Sequence, residues 1–474
     1  MNALRPLRSL CDVCLEPGDG ELRSDATTVA LVKRCAEHGE RMVPLSHNGD
    51  DYLRLDRAFH TLFPPHEPPQ PTVDTYYFIT NACNLGCGYC LTEANRYPYF
   101  EDYPLVDFEQ RLRGYSGEKV SLIGGEPLSH PRFFDFVGAV RRARKTLVVY
   151  TNGLAFADEA TVRRLVQEAG RVEVRMTFEG FEEADYRHLP VGRVRERKLL
   201  ALDNLERHGV STVLGHTIAP GEETSYGAAQ LQRLLAYAQG HDFVRGLTFQ
   251  GTAALGGTRD APPASLLSVD AVMDRVVGAL ADQAPFPRRQ VYVAQKLVYL
   301  LARLFDLPIC AYVQAALLFR VGDRWVGLDD LVDCDALDAR LDRRVERWRS
   351  WSRPRQALAL AADLLATARP QRLPSLLRLG LETLPVFLRR LDFGSIPRSV
   401  LPLVSITICD RYNYDEAVGR RCEKGVQSVV RGQVVTELCS EMAIRQLRER
   451  VGGEPAGAPR FRRSAAPGES AGPR

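Results

Sequence analysis

The chain has 474 residues, 45% of them hydrophobic, which is enough for about two or three domains with a large core. Its 62 basic and 59 acidic side chains leave a formal net charge of +3, which argues against a general attraction to nucleic acid or to a membrane. The N-terminus carries no secretory signal, and charged residues and a proline interrupt the most apolar stretch, residues 297–321. We therefore expect a cytoplasmic protein without a nucleic acid partner.

The first feature in chain order is a cysteine and histidine group within residues 1–65. Cys11 and Cys14 form one pair, and Cys35 and His38 form a second pair about 20 residues later. Two tight turns that each offer two soft ligands predict a closed tetrahedral site, for zinc or a single iron ion. Metal binding at such a knuckle supplies folding energy. The alternative is an exposed His38 with three unligated thiols.

A proline-rich linker at residues 63–71 is predicted to end this domain. From residue 72, apolar and β-branched runs alternate with helical spacing, at residues 73–80, 120–123, 147–151, 172–178, 213–218 and 244–250. This alternation predicts an α/β fold, a partial (β/α)6 TIM-like barrel over residues 72–260. Ligands of such folds bind beyond the carboxyl ends of the strands.

The rest of the chain divides into two predicted parts. Residues 261–442 form a mostly helical C-terminal domain, in which residues 355–404 are rich in leucine and arginine. Residues 443–474 consist largely of glycine, proline, alanine, serine and arginine. Such a composition buries too little apolar surface to order itself and predicts a disordered tail.

The central motif is Cys83-x3-Cys87-x2-Cys90, in the loop after the first predicted barrel strand. Three thiolates can hold three irons of a cubane cluster, whereas a fully ligated cluster takes four. The fourth iron is then open to bind and reduce another molecule. Tyr89, inside the motif, would cover one side of the cluster. The alternative is a zinc knuckle or a set of buried thiols, which the position after a barrel strand disfavours.

This motif resembles that of the radical S-adenosylmethionine superfamily. The resemblance implies a [4Fe–4S] cluster whose open iron is chelated by the amino and carboxylate groups of S-adenosylmethionine. It also implies that an electron from the cluster yields a 5′-deoxyadenosyl radical, which abstracts a substrate hydrogen. A reductant such as ferredoxin or flavodoxin would supply the electron.

Three further strand ends resemble the cofactor-binding turns of this superfamily. A carboxylate beside a glycine pair can bind an ammonium group, and the second strand end resembles the segment that binds the methionine amino group. The third and fourth strand ends resemble a Thr-Asn-Gly turn and a Ser-Phe-Asp-Gly turn that contacts the ribose. Ordinary structural turns are the alternative reading at each position. The implied cofactor residues, besides Tyr89, are Gly124, Gly125, Glu126, Pro127, Thr151, Asn152, Thr177 and Glu179.

A third cysteine group lies in the C-terminal part of the chain. Cys310, Cys409, Cys422 and Cys439 are the full complement for an auxiliary [4Fe–4S] cluster, although buried core thiols are the alternative. Cys334 lies in an acidic run that suits a surface helix start, so we leave it out of the ligand set.

The overall layout resembles the tetraether lipid synthase-like group of the superfamily, over roughly residues 8–442. The resemblance rests on the N-terminal knuckle, the central motif, the sixth strand end at residues 247–250 and the segment at residues 410–439. The chain departs from that group because no second cysteine follows Cys310 within residues 311–315, and Ser440 and Glu441 follow Cys439. One auxiliary cluster is therefore expected rather than two.

Three classes of function remain open at this point. The resemblance implies hydrogen abstraction from an unactivated carbon, such as that of a lipid chain, with formation of a C–C bond. Residues 355–404 are compatible with a lipid or with peripheral membrane contact, although ordinary amphipathic helices would show the same pattern. The second class is radical modification or methylation of a peptide or small metabolite, and the third is a non-enzymatic metal scaffold.

Overall fold

The computed structural model describes most of the chain before the C-terminal region. The described residues are 2–25, 27–64, 74–95, 102–187, 189, 192–218, 227–258, 260–262, 266–281, 286–307, 309–388, 396–416, 418, 426–430 and 433–435. The predicted tail at 443–474, most of the predicted linker, Cys422 and Cys439 lie outside the described residues.

The N-terminal region is a four-stranded antiparallel sheet in the order β1-β2-β3-β4. Its strands are β1 (Asn2–Leu10), β2 (Pro17–Ser24), β3 (Val29–Cys35) and β4 (Gly39–Ser46), and α1 (Gly49–Leu62) follows them. Strand β3 opens with a continuous apolar run that is almost fully buried, as expected of a strand covered on both faces. The turns between the strands bring the two predicted ligand pairs together.

Six parallel strands confirm the predicted barrel. They are β5 (Asp74–Thr80), β6 (Lys119–Gly124), β7 (Thr146–Thr151), β8 (Val172–Thr177), β9 (Ser211–Ile218) and β10 (Val244–Gly251). The helices between them are α2 (Leu105–Arg113), α3 (Phe133–Arg142), α4 (Glu159–Ala169), α5 (Val194–Arg207) and α6 (Ala228–Gly240).

The main core lies between these strands and the surrounding helices. Phe108, Phe136, Phe156, Phe178 and Phe249 are completely buried in it. Burying one such side chain contributes about 1.5–3 kcal/mol, so this layer holds the strand ends in a fixed arrangement. The carboxyl ends of the strands can therefore present functional groups at defined positions.

The C-terminal region is mostly helical, as predicted, and it also extends the sheet. Its helices are α7 (Val269–Ala281), α8 (Arg289–Leu304), α9 (Leu328–Leu331), α10 (Cys334–Glu346), α11 (Arg353–Ala366) and α12 (Leu373–Leu388). Beside β10, β13 (Val400–Ile406) pairs in parallel and is followed by the antiparallel β11 (Val313–Val321) and β12 (Arg324–Val326). On the other edge, β14 (Val426–Val430) pairs in parallel with β5, and β15 (Gln433–Val435) ends the 11-stranded sheet.

A second core joins α1 to the C-terminal helices. Phe59, Tyr299, Leu300, Leu337 and Leu341 are buried in it, and α11 and α12 cover the same core. No helix in the described part of the chain has the length and hydropathy needed to cross a bilayer.

Candidate active site and metal centres

The cysteine loop follows β5 directly and is held by hydrogen bonds within the loop and to Asn95, which follows it in the chain. The Cys83 amide donates to Asn95 Oδ1 at 3.0 Å, and the Asn95 side chain donates back to the Cys83 carbonyl. The Cys90 amide donates to the Cys87 carbonyl at 3.2 Å. The loop therefore presents its three thiols from a defined backbone path.

The three thiols fit a polynuclear cluster better than a single ion. Within the described residues, three or more metal-binding side-chain atoms lie within 4.8 Å of one another only in the N-terminal group. The sulfurs of the cysteine loop are spaced more widely than this, as is suited to a cubane, which places each thiolate on a separate iron. Burial raises the pKa of Cys83 to about 11 and that of Cys87 to about 12, so both thiols are protonated at neutral pH until a metal displaces the proton.

The predicted Gly-Gly-Glu-Pro segment packs against the start of the cysteine loop. The Gly125 amide donates to the Thr80 carbonyl, and the Glu126 amide donates to the Ala82 carbonyl, each at 2.8 Å. A Cβ atom at Gly125 would collide with the Ala82 carbonyl oxygen, so glycine is required for this approach. Pro127 begins a short 3-10 turn at residues 127–129 and is buried.

The Glu126 side chain connects the second and third strand ends. Its carboxylate accepts hydrogen bonds from Thr151 Oγ1 at 2.8 Å, the Asn152 amide at 2.7 Å and the Leu128 amide at 3.2 Å. Burial raises the pKa of this carboxyl group, although these bonds oppose the shift. A carboxylate has about four acceptor positions, so about one remains for an ammonium group.

Asn152 joins the third strand end to the cysteine loop. Its Nδ2 atom donates to Asn84 Oδ1 at 2.6 Å, and its Oδ1 atom accepts from the Leu154 amide at 3.0 Å. The predicted residues Glu126, Thr151 and Asn152 therefore form one hydrogen-bonded group beside the three cysteines.

The fourth strand end contains a buried ion pair. Tyr89 Oη donates to Glu179 Oε1 at 3.4 Å, and Lys198 Nζ donates to Glu179 Oε2. Lys198 also donates to the Thr177 carbonyl at 2.8 Å and contacts the Thr177 hydroxyl at 3.3 Å. The predicted residues Tyr89, Thr177 and Glu179 thus lie together, organised by a completely buried lysine.

Our sequence analysis did not select Lys198, although a signal was present. The lysine precedes Ala201, Leu202 and Leu205 at the spacing of one helix face, and all four side chains are buried on α5. A lysine on the apolar face of a helix needs a charged or polar partner inside the protein.

A glycine pair after β10 supports the other side of the cysteine loop. The Gly257 amide donates to the Cys90 carbonyl at 3.0 Å. Gly256 has φ +54°, and a Cβ atom there would collide with the same carbonyl oxygen. The sequence analysis missed this contact, for which the only local signal is a Gly-Gly dipeptide after the sixth barrel strand.

The N-terminal ligand group is assembled as predicted. Cys11 Sγ lies 3.7 Å from His38 Nδ1, Cys35 Sγ lies 3.5 Å from the same atom, and the Cys14 and Cys35 sulfurs are 3.7 Å apart. A hydrogen bond with His38 lowers the pKa of Cys35 to about 6, whereas burial raises that of Cys14 to about 11. Three sulfurs and one nitrogen this close form a closed tetrahedral site that fits zinc.

The described half of the C-terminal cysteine group also comes together. Cys310 and the buried Cys409 contact one small core that contains Leu10 and Tyr312, and the Tyr312 amide donates to Cys310 Sγ at 3.4 Å. Cys334 begins α10 as predicted, but the prediction that it lies on the surface is wrong. Its side chain is fully buried in the second core, because the helix start turns toward Leu337 and Leu341.

Comparison with known families defines the class to which this arrangement belongs. Residues 77–226 match the Radical SAM superfamily, and residues 3–47 match the HMPTM N-terminal zinc ribbon domain. The chain therefore contains a radical SAM domain, which is a domain of enzymes, and an N-terminal zinc ribbon. The radical SAM domain implies a [4Fe–4S] cluster and S-adenosylmethionine, which confirms these two predicted cofactors.

Several known proteins are similar to parts of this chain. The 7,8-dihydro-6-hydroxymethylpterin dimethyltransferase of Methanocaldococcus jannaschii is 24% identical over 52% of this chain and 53% of its own length. A GTP 3′,8-cyclase of Xanthomonas campestris is 31% identical over 28% of this chain and 41% of its own length. Streptococcus suis SuiB bound to S-adenosylmethionine has a TM-score of 0.36 at 14% identity, over 45% of this chain and 48% of that chain. The chain thus spans about half the length of these proteins.

Proposed function

We propose that this protein cleaves S-adenosylmethionine reductively and abstracts hydrogen from an unactivated carbon of a lipid chain. The observation that supports the radical chemistry is the grouping of three cysteines with Glu126 and Glu179 at the strand ends. When bound, a [4Fe–4S] cluster supplies one electron to the sulfonium, and cleavage gives methionine and a 5′-deoxyadenosyl radical. A ferredoxin or flavodoxin is the proposed source of the electron.

The residues of the chain have separate roles in this proposal. Cys83, Cys87 and Cys90 hold three irons. Glu126 offers its remaining acceptor position to the methionine ammonium group, and Glu179 offers a carboxylate to the ribose hydroxyls. Gly124, Gly125, Pro127, Thr151, Asn152 and Thr177 shape the same surface, which Tyr89 closes beside the cysteine loop.

We also propose one auxiliary cluster in the C-terminal region. Cys310 and Cys409 are the two described ligands, and their shared core supports the assignment. Cys422 and Cys439 would supply the other two thiolates. The cluster would lie next to the N-terminal ribbon, because Leu10 at the end of β1 belongs to the same core.

The lipid substrate is supported by exposed leucines on the C-terminal helices and by the resemblance to the tetraether lipid synthase-like group. Leu358, Leu377 and Leu381 are 73%, 49% and 73% exposed. A cytoplasmic enzyme in peripheral contact with the membrane would meet such a substrate. The second candidate is radical methylation of a small metabolite, which the similarity to the pterin dimethyltransferase favours.

The test uses the anaerobically reconstituted full chain with dithionite and S-adenosylmethionine. We expect 5′-deoxyadenosine to form in the wild-type protein and to be absent in Cys87→Ala, because one iron then lacks its thiolate. Cys334→Ala is the matched control, since it removes a buried thiol from a core without a proposed cluster. Cleavage in Cys87→Ala, or none in the wild-type protein, would contradict the proposal.

The two substrate classes leave different products. Joining two lipid carbons converts two C–H bonds to one C–C bond and consumes two S-adenosylmethionine molecules and two electrons. Two molecules each of 5′-deoxyadenosine and methionine result. Radical methylation with a second S-adenosylmethionine as the methyl donor would leave S-adenosylhomocysteine in addition to 5′-deoxyadenosine and methionine. Mass spectrometry of reactions supplied with lipid extract distinguishes the two outcomes.

A further inference from the structure

Helices α11 and α12 expose an unusual amount of apolar surface. Half of the large hydrophobic side chains that are exposed among the described residues lie between residues 358 and 381, namely Leu358, Leu365, Leu373, Leu377 and Leu381. Single exposed leucines are common on proteins, but a concentration on two consecutive helices indicates a contact surface.

The leucines of α12 form one stripe. Leu373, Leu377 and Leu381 follow each other at every fourth residue and therefore lie on the same face of the helix. Leu379 is buried in the second core, and Leu376 packs against that core. The helix is thus apolar toward the protein and carries a second apolar stripe toward the solvent, beside the ion pair of Arg378 and Glu382. An ordinary surface helix has a polar outer face.

Helix α11 repeats this arrangement on the same core. Leu358 and Leu365 are two helical turns apart and exposed, whereas Leu360 is buried in the second core and Leu364 packs against it. The exposed leucines therefore lie on helices whose inner faces pack on the second core. Their removal would leave the core unchanged.

The segment that carries these leucines has a positive net charge. Residues 347–388 contain seven arginines and two acidic residues, which gives this segment a net charge of +5 against +3 for the whole chain. Asp363 is buried against Arg344, and Glu382 pairs with Arg378 at 2.7 Å, so both acidic groups are neutralised. Three further arginines contact aspartates of neighbouring elements, so the positive excess lies around the start of α11, where Arg347 and Arg355 are found.

Trp351 lies just before α11, next to the same surface. The guanidinium of Arg355 lies 4.2 Å from the centre of the Trp351 ring, and that of Arg344 lies 4.9 Å from it. Exposed leucines, tryptophan and arginines are the composition of helices that lie in the interface of a bilayer, with leucine in the acyl boundary and arginine at the anionic headgroups.

We infer that the leucine face of α11 and α12 binds the surface of an anionic lipid bilayer. The inference deepens the proposed lipid function, on which it rests for its biological purpose, because it brings the enzyme to the membrane that holds the substrate. The binding itself is separable from the chemistry, since these helices pack on the second core and the cysteine loop lies at the barrel.

The test is co-sedimentation of the full chain with vesicles of phosphatidylcholine mixed with phosphatidylglycerol, and with vesicles of phosphatidylcholine alone. We expect binding to the anionic vesicles that weakens as salt is added. The triple variant Leu373→Ser, Leu377→Ser and Leu381→Ser should lower the partition coefficient by about tenfold or more, because three leucines no longer leave water. The single variant Leu377→Ser is compared with Leu200→Ser on α5 as its matched control, since Leu200 is 47% exposed and Leu377 is 49% exposed.

Three outcomes would overturn the inference. They are a wild-type chain that does not bind anionic vesicles, a triple variant that binds as the wild type does, and a triple variant that only converts a dimer to a monomer. The last would make the leucine face an interface between copies. Formation of 5′-deoxyadenosine by the triple variant should equal that of the wild type. If the protein binds vesicles but modifies no lipid, the proposed lipid substrate is wrong, whereas the inferred membrane-binding surface still stands.

Discussion

At the residue scale, the ion pair of Glu179 and Lys198 couples a predicted cofactor ligand to a side chain that carries no motif. Lys198 is fully buried, and Glu179 is 4% exposed. An ammonium group in this position fixes the carboxylate toward Tyr89 and the end of β8. Lys198 is therefore a positioning residue for Glu179, the proposed ribose ligand.

We predict that Lys198→Met raises the KM for S-adenosylmethionine by about tenfold or more and changes kcat less. A charged hydrogen bond contributes about 1.5–3 kcal/mol, and its loss releases the Glu179 carboxylate. The rate of 5′-deoxyadenosine formation, measured against the concentration of S-adenosylmethionine, gives KM and kcat separately. Lys296→Met is the matched control, because Lys296 is equally buried but pairs with Asp338 and Asp342 in the second core. An equal rise in KM for both variants would show a general loss of structure.

The same residues show what the sequence could predict. The spacing of Cys83, Cys87 and Cys90 and the three strand-end turns predicted most of the candidate site, because each motif is local. Lys198 and Gly257 reach the site from a helix and a loop far along the chain. The contact of Lys198 depends on which face of α5 turns inward, and that of Gly257 depends on the course of the chain after β10. Neither residue belongs to a motif that predicts its contact.

At the scale of elements, the parallel strands and their helices could be predicted from alternating patterns, whereas the sheet extension could not. Strand β13 joins β10 across about 150 residues, and β14 joins β5 from the far end of the chain. Such pairing depends on contacts between distant segments, which hydrophobic periodicity does not specify. The helical prediction for residues 261–442 therefore missed the strands that tie this region to the barrel.

The second feature at the scale of elements is the contact between the zinc ribbon and the C-terminal segment at residues 411–415. Arg5 of β1 pairs with Asp56 of α1 at 3.1 Å and with Asp415 at 2.8 Å. Ser9 Oγ donates to the Tyr414 carbonyl at 2.6 Å, and Lys33 Nζ donates to the Arg411 carbonyl. These buried and half-buried polar contacts attach the zinc ribbon to the segment that follows Cys409.

We predict that Arg5→Met lowers the free energy of unfolding by about 1–3 kcal/mol. The buried Asp415 carboxylate loses this ion pair, and the cost is smaller than for a completely buried pair because Arg5 is 26% exposed. Urea unfolding with metal present measures the change. Arg8→Met, which removes an exposed arginine of the same strand, should change the value by less than about 0.5 kcal/mol. Equal effects would contradict the prediction.

A pH dependence follows from Lys33 in the same contact. Burial lowers the pKa of Lys33 from 10.5 to about 8. Between these values the unfolded chain binds more protons than the folded chain, so the Lys33 contribution to the free energy of unfolding rises with pH, by about 2–4 kcal/mol in total. Lys33→Met should remove this rise. Denaturant unfolding of both proteins from pH 7.5 to 10.5 tests the difference, and parallel curves would contradict it.

At the scale of the whole molecule, the zinc ribbon site and the proposed auxiliary cluster site lie beside one contact. Leu10, next to the zinc ligand Cys11, shares a core with Tyr312 and Cys409, and Val43 of the ribbon packs with Ala254 and Tyr412. A metal in the ribbon would therefore stabilise the surface against which the C-terminal cysteine segment packs. The barrel core is a separate cluster and contains no ribbon residue.

We therefore predict that removing the ribbon metal loosens the C-terminal cysteine segment more than the barrel. Without metal, the turns that hold Cys11 and Cys35 lose the folding energy of ligation, and their partners at residues 409–415 lose their support. Hydrogen exchange of Cys11→Ala compared with the wild type should show faster exchange at residues 405–415 and unchanged exchange in β7 and β8. Formation of 5′-deoxyadenosine should persist, because Glu126, Asn152 and the cysteine loop belong to the barrel. Equal exchange at residues 405–415 in both proteins would show that the C-terminal segment is held by the barrel alone.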